Sequence, residues 1–306
     1  MNLQAGCIRI TKLLKYTAVL TTFNSEKSIL RALNSILEQE FPPSELIIVD
    51  DCSTDTTFLI ASNILNLPFN FQIFQNPTNM GVAYSRNFAA RHALQSYLIF
   101  FDDDDVSHKM RARVHLKHFE LGAGVSYVSS SKNYLNGYSV RNISNDFVGQ
   151  FETGGFIGRQ LLGVGEFNYF TPASCMAINR DIFLSLNGFD TELRRLEDSD
   201  LAIRLSSVKS QFAFSSEICV DRYDFGKTAS IFEGISQKAI LIKHRSSLST
   251  IEYREASFKI EIRDLYFGRK IGKLIYRVLK EVIVHPSQLK YLLVGIRRIR
   301  HDLAKR

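Results

Sequence analysis

Tyr97-Leu98-Ile99-Phe100-Phe101-Asp102-Asp103-Asp104-Asp105 is the stretch from which the fold can be read. Its first five residues are aliphatic or aromatic, and so short an apolar run predicts a buried strand of a parallel sheet. The aspartates then fall at the strand's carboxyl end, the edge where open α/β sheets bind ligands. Carboxylates crowded into one turn repel one another, and a hard divalent cation relieves that repulsion through oxygen ligands. The competing reading is a solvated acidic turn with an Asp cap ahead of Val106. This stretch alone leaves both open.

Upstream, Tyr16 to Thr21 reads as a first strand, and Ile29, Leu30, Leu33, Ile36 and Leu37 mark a helical period over 25–39 that Pro42-Pro43 stops. Residues 45–49 form a second apolar strand ending at Asp50-Asp51, and a helix over 54–65 follows with Ser53 or Asp55 to cap it. A third strand is expected over 69–74 and a helix over 80–95. Strands alternating with helices predict a parallel, Rossmann-like half-domain. No GxGxxG follows the first strand, which weighs against a dinucleotide-binding dehydrogenase. Residues 126–170 are richer in Gly, Asn and Ser and read as looser strands and loops. An apolar strand resumes over 173–178, and 196–208 reads as a helix with Glu197, Asp198 and Asp200 near its start. There is no internal repeat.

The chain has 306 residues, 45% hydrophobic and 23% charged, enough for a substantial core. Cys7, Cys52, Cys175 and Cys219 lie far apart with no CxxC, which argues against structural zinc and a disulfide framework and makes a reducing cytoplasm the expectation. Residues 3–7 fail as a lipoprotein cleavage box, because no charged start or apolar stretch precedes Cys7. No window approaches the length of a membrane span. The net charge of +7 is uneven: 266–306 carry eleven Lys and Arg against Glu281 and Asp302, leaving the rest of the chain at −2.

Several motifs stand in a recognisable order. Leu20-Thr21-Thr22-Phe23-Asn24 is followed by Asp50-Asp51-Cys52-Ser53-Thr54-Asp55, then Asn79-Met80-Gly81 and Ser85-Arg86-Asn87. The four aspartates come next, then Asn187-Gly188-Phe189-Asp190 and Glu197-Asp198-Ser199-Asp200-Leu201 with Arg204. Over about 16–230 this series resembles the family-2 glycosyltransferases, inverting enzymes of the GT-A fold. The resemblance implies an α/β protein with a Rossmann-like, mostly parallel sheet flanked by helices and a C-terminal helical extension. It implies a catalytic domain over 1–230, with a nucleotide-binding half at 16–125 and an acceptor half at 126–230, then a basic helical extension at 231–306.

By the same resemblance, Asp198 is the base that takes the acceptor's proton. A helix start would lower its pKa and a closed, dry cleft would raise it. The plain alternative is that Glu197 and Asp198 only complement a helix N-terminus. Asp102 and Asp104 are the expected ligands of Mg²⁺ or Mn²⁺, with Asp102 and Asp103 at the ribose-phosphate. Asp51, with Asp50 as the second choice, is expected to accept from a nucleobase, for which uracil is the family's usual partner, with Thr21, Phe23 and Glu26 lining the nucleoside. The plain alternatives are a cap for Asp51 and core packing for Phe23. Arg86 is a fork for phosphate or, equally, a structural partner of one of the aspartates. Arg204, nearly on the face of Glu197, reads as structural.

Three positions depart from the pattern. Thr21 replaces Pro, and Cys52 replaces Gly, which is tolerable if that turn needs no positive φ. Asp224 falls where relatives carry a His in a loop over the diphosphate, and would need a metal, Arg222 or Lys227 as partner.

The donor implied is a nucleotide-diphospho sugar, UDP-linked, and the acceptor a glycan or lipid-linked hydroxyl in surface polysaccharide or glycolipid assembly. Basic amphipathic patterns over 265–279 and 291–300 fit an anionic membrane surface, hence a cytoplasmic protein peripheral at the inner face. They fit equally a helix packed on the catalytic domain. Nucleic acid is not expected, since no binding module accompanies the charge. A catalytically silent nucleotide-sugar-binding scaffold and a metal-dependent nucleotidyltransferase are the rival functions. The second gives Glu197-Asp198 no role.

Overall fold

The computed structural model describes residues 14–64, 67–134, 137–141, 146–151, 171–224, 231–267, 273–274 and 276–277. Its first half follows the alternation read from sequence. Strands β1 (Tyr16–Thr22), β2 (Glu45–Asp50), β3 (Asn70–Gln75) and β4 (Tyr97–Asp102) pair in parallel in the order β3-β2-β1-β4. Every residue of β1 and β2 is buried, as an unbroken apolar run in a central parallel strand requires. Helices α1 (Ile29–Leu37), α2 (Thr57–Ser62) and α3 (Val82–His92) alternate with them. Ile29, Ala32, Leu33 and Ile36 of α1 recur at helical spacing and are all buried. Thr56 is the N-cap residue of α2, and Asp55 just before it accepts from Thr57 N at 2.9 Å, while Ser53 turns back to Asp50.

Beyond β4 the sheet becomes mixed. After β5 (Val106–Ser107) and α4 (Arg111–Glu120) come β6 (Val125–Tyr134), β7 (Gly137–Arg141), β8 (Phe147–Gly149), β9 (Met176–Asn179), α5 (Arg180–Ser185), α6 (Glu197–Ser207) and β10 (Phe212–Asp224). The order β3-β2-β1-β4-β9-β6-β10-β5 has β9 antiparallel to both neighbours, and β6 parallel to β10. Residues 126–134, expected to be loose, are instead a central strand. Its Ser126, Ser129, Ser130 and Ser131 are buried, so its composition hid it. The strand expected from 173 begins at Met176, because Ala173–Cys175 form a 3₁₀ turn.

Two compact units result. One holds β1–β10 with α1–α5, and the other holds α6, α7 (Ile231–Lys243) and α8 (Thr250–Phe267). In the first, β1 lies between β2 and β4, so the direction of strand addition reverses there. Thr21 pairs with Asp102 and Thr22 with Asp50, which brings three strand ends level at the point where such sheets bind ligands.

Helix α4 escaped the sequence reading because its buried face is mixed: Arg111, His115 and His118 are buried beside Ala112, Val114, Leu116 and Phe119. Arg111 Nε donates to His115 Nε2 at 3.4 Å, so His115 carries its proton on Nδ1. That Nδ1 and His118 Nδ1 each lie 2.7 Å from Ser126 Oγ, which accepts from the first and donates to the second. Burial pushes both imidazoles down, His118 to about 4. Folded they stay neutral, whereas unfolded they take up protons below about pH 6.5. Stability is therefore lost as pH falls from about 6.5 toward 4, by up to about 1.4 kcal/mol per pH unit for each histidine. Urea midpoints between pH 7 and pH 5 will fall, and the slope will be shallower in His118→Gln.

Candidate active site

The acidic turn begins where β4 ends, three residues past its last pairing with β9. Asp102 is the last residue of the strand, and Asp103 turns aside to accept from Phe23 N at 2.9 Å. Asp102, Asp104 and Asp105 remain, each offering a carboxylate oxygen within 4.8 Å of the others. Asp102 and Asp104 are thus brought together as expected. Asp105, which the sequence did not single out, completes the set. Nothing in four identical neighbours announces which one the turn will divert.

The charges are managed by arginines. Arg86, on α3, places Nη2 2.6 Å from Asp102 Oδ1, so the guanidinium read as a phosphate fork or an aspartate partner makes an ion pair in this structure. Burial raises the Asp102 carboxyl, but Arg86, with Arg222 and Arg111 behind it, holds it below the ordinary carboxylate range. Asp105 is pushed up to about 7, first by burial and then by the Asp102 charge, against Arg222 Nε at 3.7 Å. Asp103 is also raised, by burial, against hydrogen bonds from Ser25, Phe23 N and Thr22. Arg31 of α1 donates to the Asp104 carbonyl at 3.1 Å and lies over the Tyr223 ring. The donor set suits a hard cation: three carboxylates converge, and the buried Asp105 Oδ2 accepts no hydrogen bond.

At the end of β2 the two aspartates divide their work. Asp50 is fully buried and accepts from Ser53 and Gln75, holding the turn. Asp51 Oδ1 accepts from Asn76 Nδ2 at 2.7 Å and Met80 N at 2.8 Å, and Oδ2 from Gly81 N at 2.8 Å. A carboxylate has about four lone-pair sites, so one acceptor position remains at Oδ2. None of these donors belongs to α2, so Asp51 does not cap that helix, whose first N–H bonds to Asp55. Thr21 is buried, its backbone fixed between β2 and β4. Phe23 is 44% exposed, which removes the core-packing alternative. Glu26 Oε2 accepts from Thr56 N and Oγ1 at the start of α2.

Cys52 has φ +65°, so the condition set for tolerating it fails: the turn does require the left-handed region. Cys52→Gly removes a strain of about 1–2 kcal/mol and restores part of it as unfolded-chain entropy. The expected net is a gain of about 0.5–1 kcal/mol, read as a higher thermal midpoint.

The Ser85-Arg86-Asn87 and Asn187-Gly188-Phe189 segments meet. Asn87 Nδ2 donates to Phe189 O at 2.7 Å and Phe189 N donates to Asn87 Oδ1 at 2.8 Å. Gly188 at φ +65° permits this, since a Cβ there would lie 2.2 Å from Asn87 Oδ1.

The second unit carries Asp198 in the first turn of α6, its Oδ1 accepting from Ser199 N at 2.7 Å. Leu196, just before the helix, holds φ +64°, a left-handed conformation a bulky side chain rarely adopts. Arg204 binds Asp200 at 2.7 Å, the structural role read for it. Arg222 is engaged with Asp105, while the side chain of Asp224 and Lys227 lie outside the described residues.

The profile of "Glycosyl transferase family 2" matches residues 17–186, more than half of the chain. The chain belongs to that family. The poly(ribitol-phosphate) beta-N-acetylglucosaminyltransferase TarS of Staphylococcus aureus is 38% identical over 100 residues, 32% of this family member and 17% of TarS. An uncharacterized glycosyltransferase of Haemophilus influenzae is 27% identical over 187 residues, 61% of this chain and 60% of its own. The match thus spans less than two thirds of either relative. Among solved structures, S. aureus TarS 1–349 in complex with UDP-GlcNAc superposes with a TM-score of 0.62 at 20% identity, covering 93% of this chain and 81% of that one. The GT-A fold is shared.

Proposed function

We propose that this chain is an inverting, metal-dependent glycosyltransferase that moves a sugar from a UDP-linked donor to a hydroxyl of a glycan or lipid-linked acceptor, in surface polysaccharide or glycolipid assembly. The convergence of Asp102, Asp104 and Asp105 at the end of β4 carries the reading. TarS, named for N-acetylglucosamine transfer to poly(ribitol-phosphate) and solved with UDP-GlcNAc, supports the donor and acceptor classes.

In this reading Asp102 and Asp104, with Asp105, hold Mg²⁺ or Mn²⁺. Bound there, the ion would neutralise charge on the departing diphosphate. Asp51 offers its remaining Oδ2 site to uracil N–H, and Phe23, Thr21 and Glu26 line the nucleoside. Arg86 fixes the rotamer of Asp102, and Asp103 ties the acidic turn to the β1 end. Asp198 takes the acceptor's proton as the hydroxyl attacks the anomeric carbon in line. Residues 1–230 form the catalytic part and 231–306 the extension. The basic tail suits an anionic membrane face on the cytoplasmic side. One part of it packs instead: Arg277 Nε donates to Glu261 at 2.9 Å and lies over Phe258. Residues 291–300 lie outside the described residues. No described helix is long and apolar enough to cross a membrane.

Calorimetric titration with UDP, GDP and dTDP, with and without Mn²⁺, tests this. UDP is expected to bind in a Mn²⁺-dependent manner and to weaken by about a hundredfold in Asp104→Ala. Absence of nucleotide binding in the presence of Mn²⁺ would sink the proposal.

A further inference from the structure

Asp200, two residues beyond the proposed base, is fully buried and held by an arginine, a lysine and an imidazole. Arg204 Nε lies 2.7 Å away, His244 Nε2 2.9 Å and Lys243 Nζ 3.1 Å. Burial alone would raise its carboxyl, yet His244, Arg204 and Lys243 bring it down to about 2. Arg204 belongs to the same helix, but Lys243 and His244 come from the end of α7. The same Lys243 Nζ lies 2.6 Å from Asp190 Oδ2, at the end of the Asn-Gly-Phe-Asp turn. One ammonium therefore joins Asp190 to the first turn of α6.

The geometry points to Lys243 and His244 as positioning residues for Asp198, acting through Asp200. Successive helical residues are about 100° apart, so Asp198 and Asp200 project about 200° from each other. Clamping Asp200 against α7 directs Asp198 to the opposite face. The clamp also steadies a helix start that follows the left-handed Leu196, where α6 would otherwise fray. Both residues lie well beyond the 17–186 stretch the family profile matches, so the family's domain alone does not supply them. This inference rests on the proposed role of Asp198.

The test uses the full chain with Lys243→Met, His244→Gln and the charge-conserving Lys243→Arg. Lys243 is partly exposed, so its replacement leaves the core intact. In Lys243→Met, amide exchange over 197–201 should quicken by about tenfold. UDP affinity should stay unchanged, and kcat for UDP release from UDP-GlcNAc should fall by about 10–100-fold at constant KM. His244→Gln should act in the same direction, and Lys243→Arg should restore both readouts. Unaltered exchange, or a kcat equal to that of the parent, would overturn the inference, as would a matched rise in KM. A parent chain that releases no UDP from the donor overturns the proposed function instead, and amide exchange alone then decides the clamp.

Discussion

Asp198→Asn is expected to lower turnover by about 10²–10⁴-fold while leaving nucleotide affinity within about twofold of the parent. The change is nearly isosteric, and the α6 first turn keeps an acceptor for Ser199 N, to which Asp198 Oδ1 now bonds. Helix geometry should therefore survive and proton abstraction should not. The loss corresponds to about 3–5 kcal/mol of barrier. It should fall on kcat and on kcat/KM equally, the sign of an interaction made only in the transition state. Single-turnover rates with UDP-GlcNAc, beside UDP titration of the same variant, check both halves. A variant that keeps parental turnover would return Glu197 and Asp198 to helix-end electrostatics.

Glu45→Ala is expected to cost about 2–4 kcal/mol of stability, with no direct effect on chemistry. Glu45 opens β2, at the end of the sheet away from the acidic turn, and is fully buried. Its Oε2 accepts from Thr17 Oγ1 at 2.5 Å and Leu94 N at 2.8 Å, and its Oε1 from Asn70 Nδ2 at 3.0 Å and Gln72 Nε2 at 3.1 Å. One carboxylate thus ties β1, β3 and the loop before β4 to the foot of β2. Truncation leaves the buried Thr17 hydroxyl without its acceptor and opens a small cavity. Glu45→Gln keeps one acceptor oxygen and should cost less than half as much. Chemical denaturation of the three proteins measures the series. Equal stability of Glu45→Ala and the parent would show that this buried network carries no net stabilisation.

These two residues differ in how visible they were. Asp198 stood out because its neighbours form a motif in a fixed order with the acidic strand ends. Glu45 looked like an ordinary charged residue at a strand start, since nothing local reveals that β2 will be central. Helix α4 was missed for a related reason. Its buried face interleaves Arg111, His115 and His118 with Ala112, Val114, Leu116 and Phe119, which blurs a hydrophobic period, and distant partners (Ser126 for the imidazoles, Phe100 O for Arg111) satisfy the polar groups. Cys52 shows a limit of another kind: residue identity left the turn's conformation open, while chain path imposed φ +65°.

Local pattern was enough to establish the alternating strands and helices from Tyr16 to Asp102, the acidic edge, and the family. Each of these depends on residues close in the chain, where periodicity, propensity and motif spacing act. Packing added Asp105 to the expected Asp102 and Asp104 and removed Asp103, because Phe23 N, 80 residues away, draws Asp103 aside. Packing alone also set Arg86 on Asp102 and Lys243 on Asp200. Such pairings span many residues of chain and are decided by which buried charges must be neutralised once water is excluded.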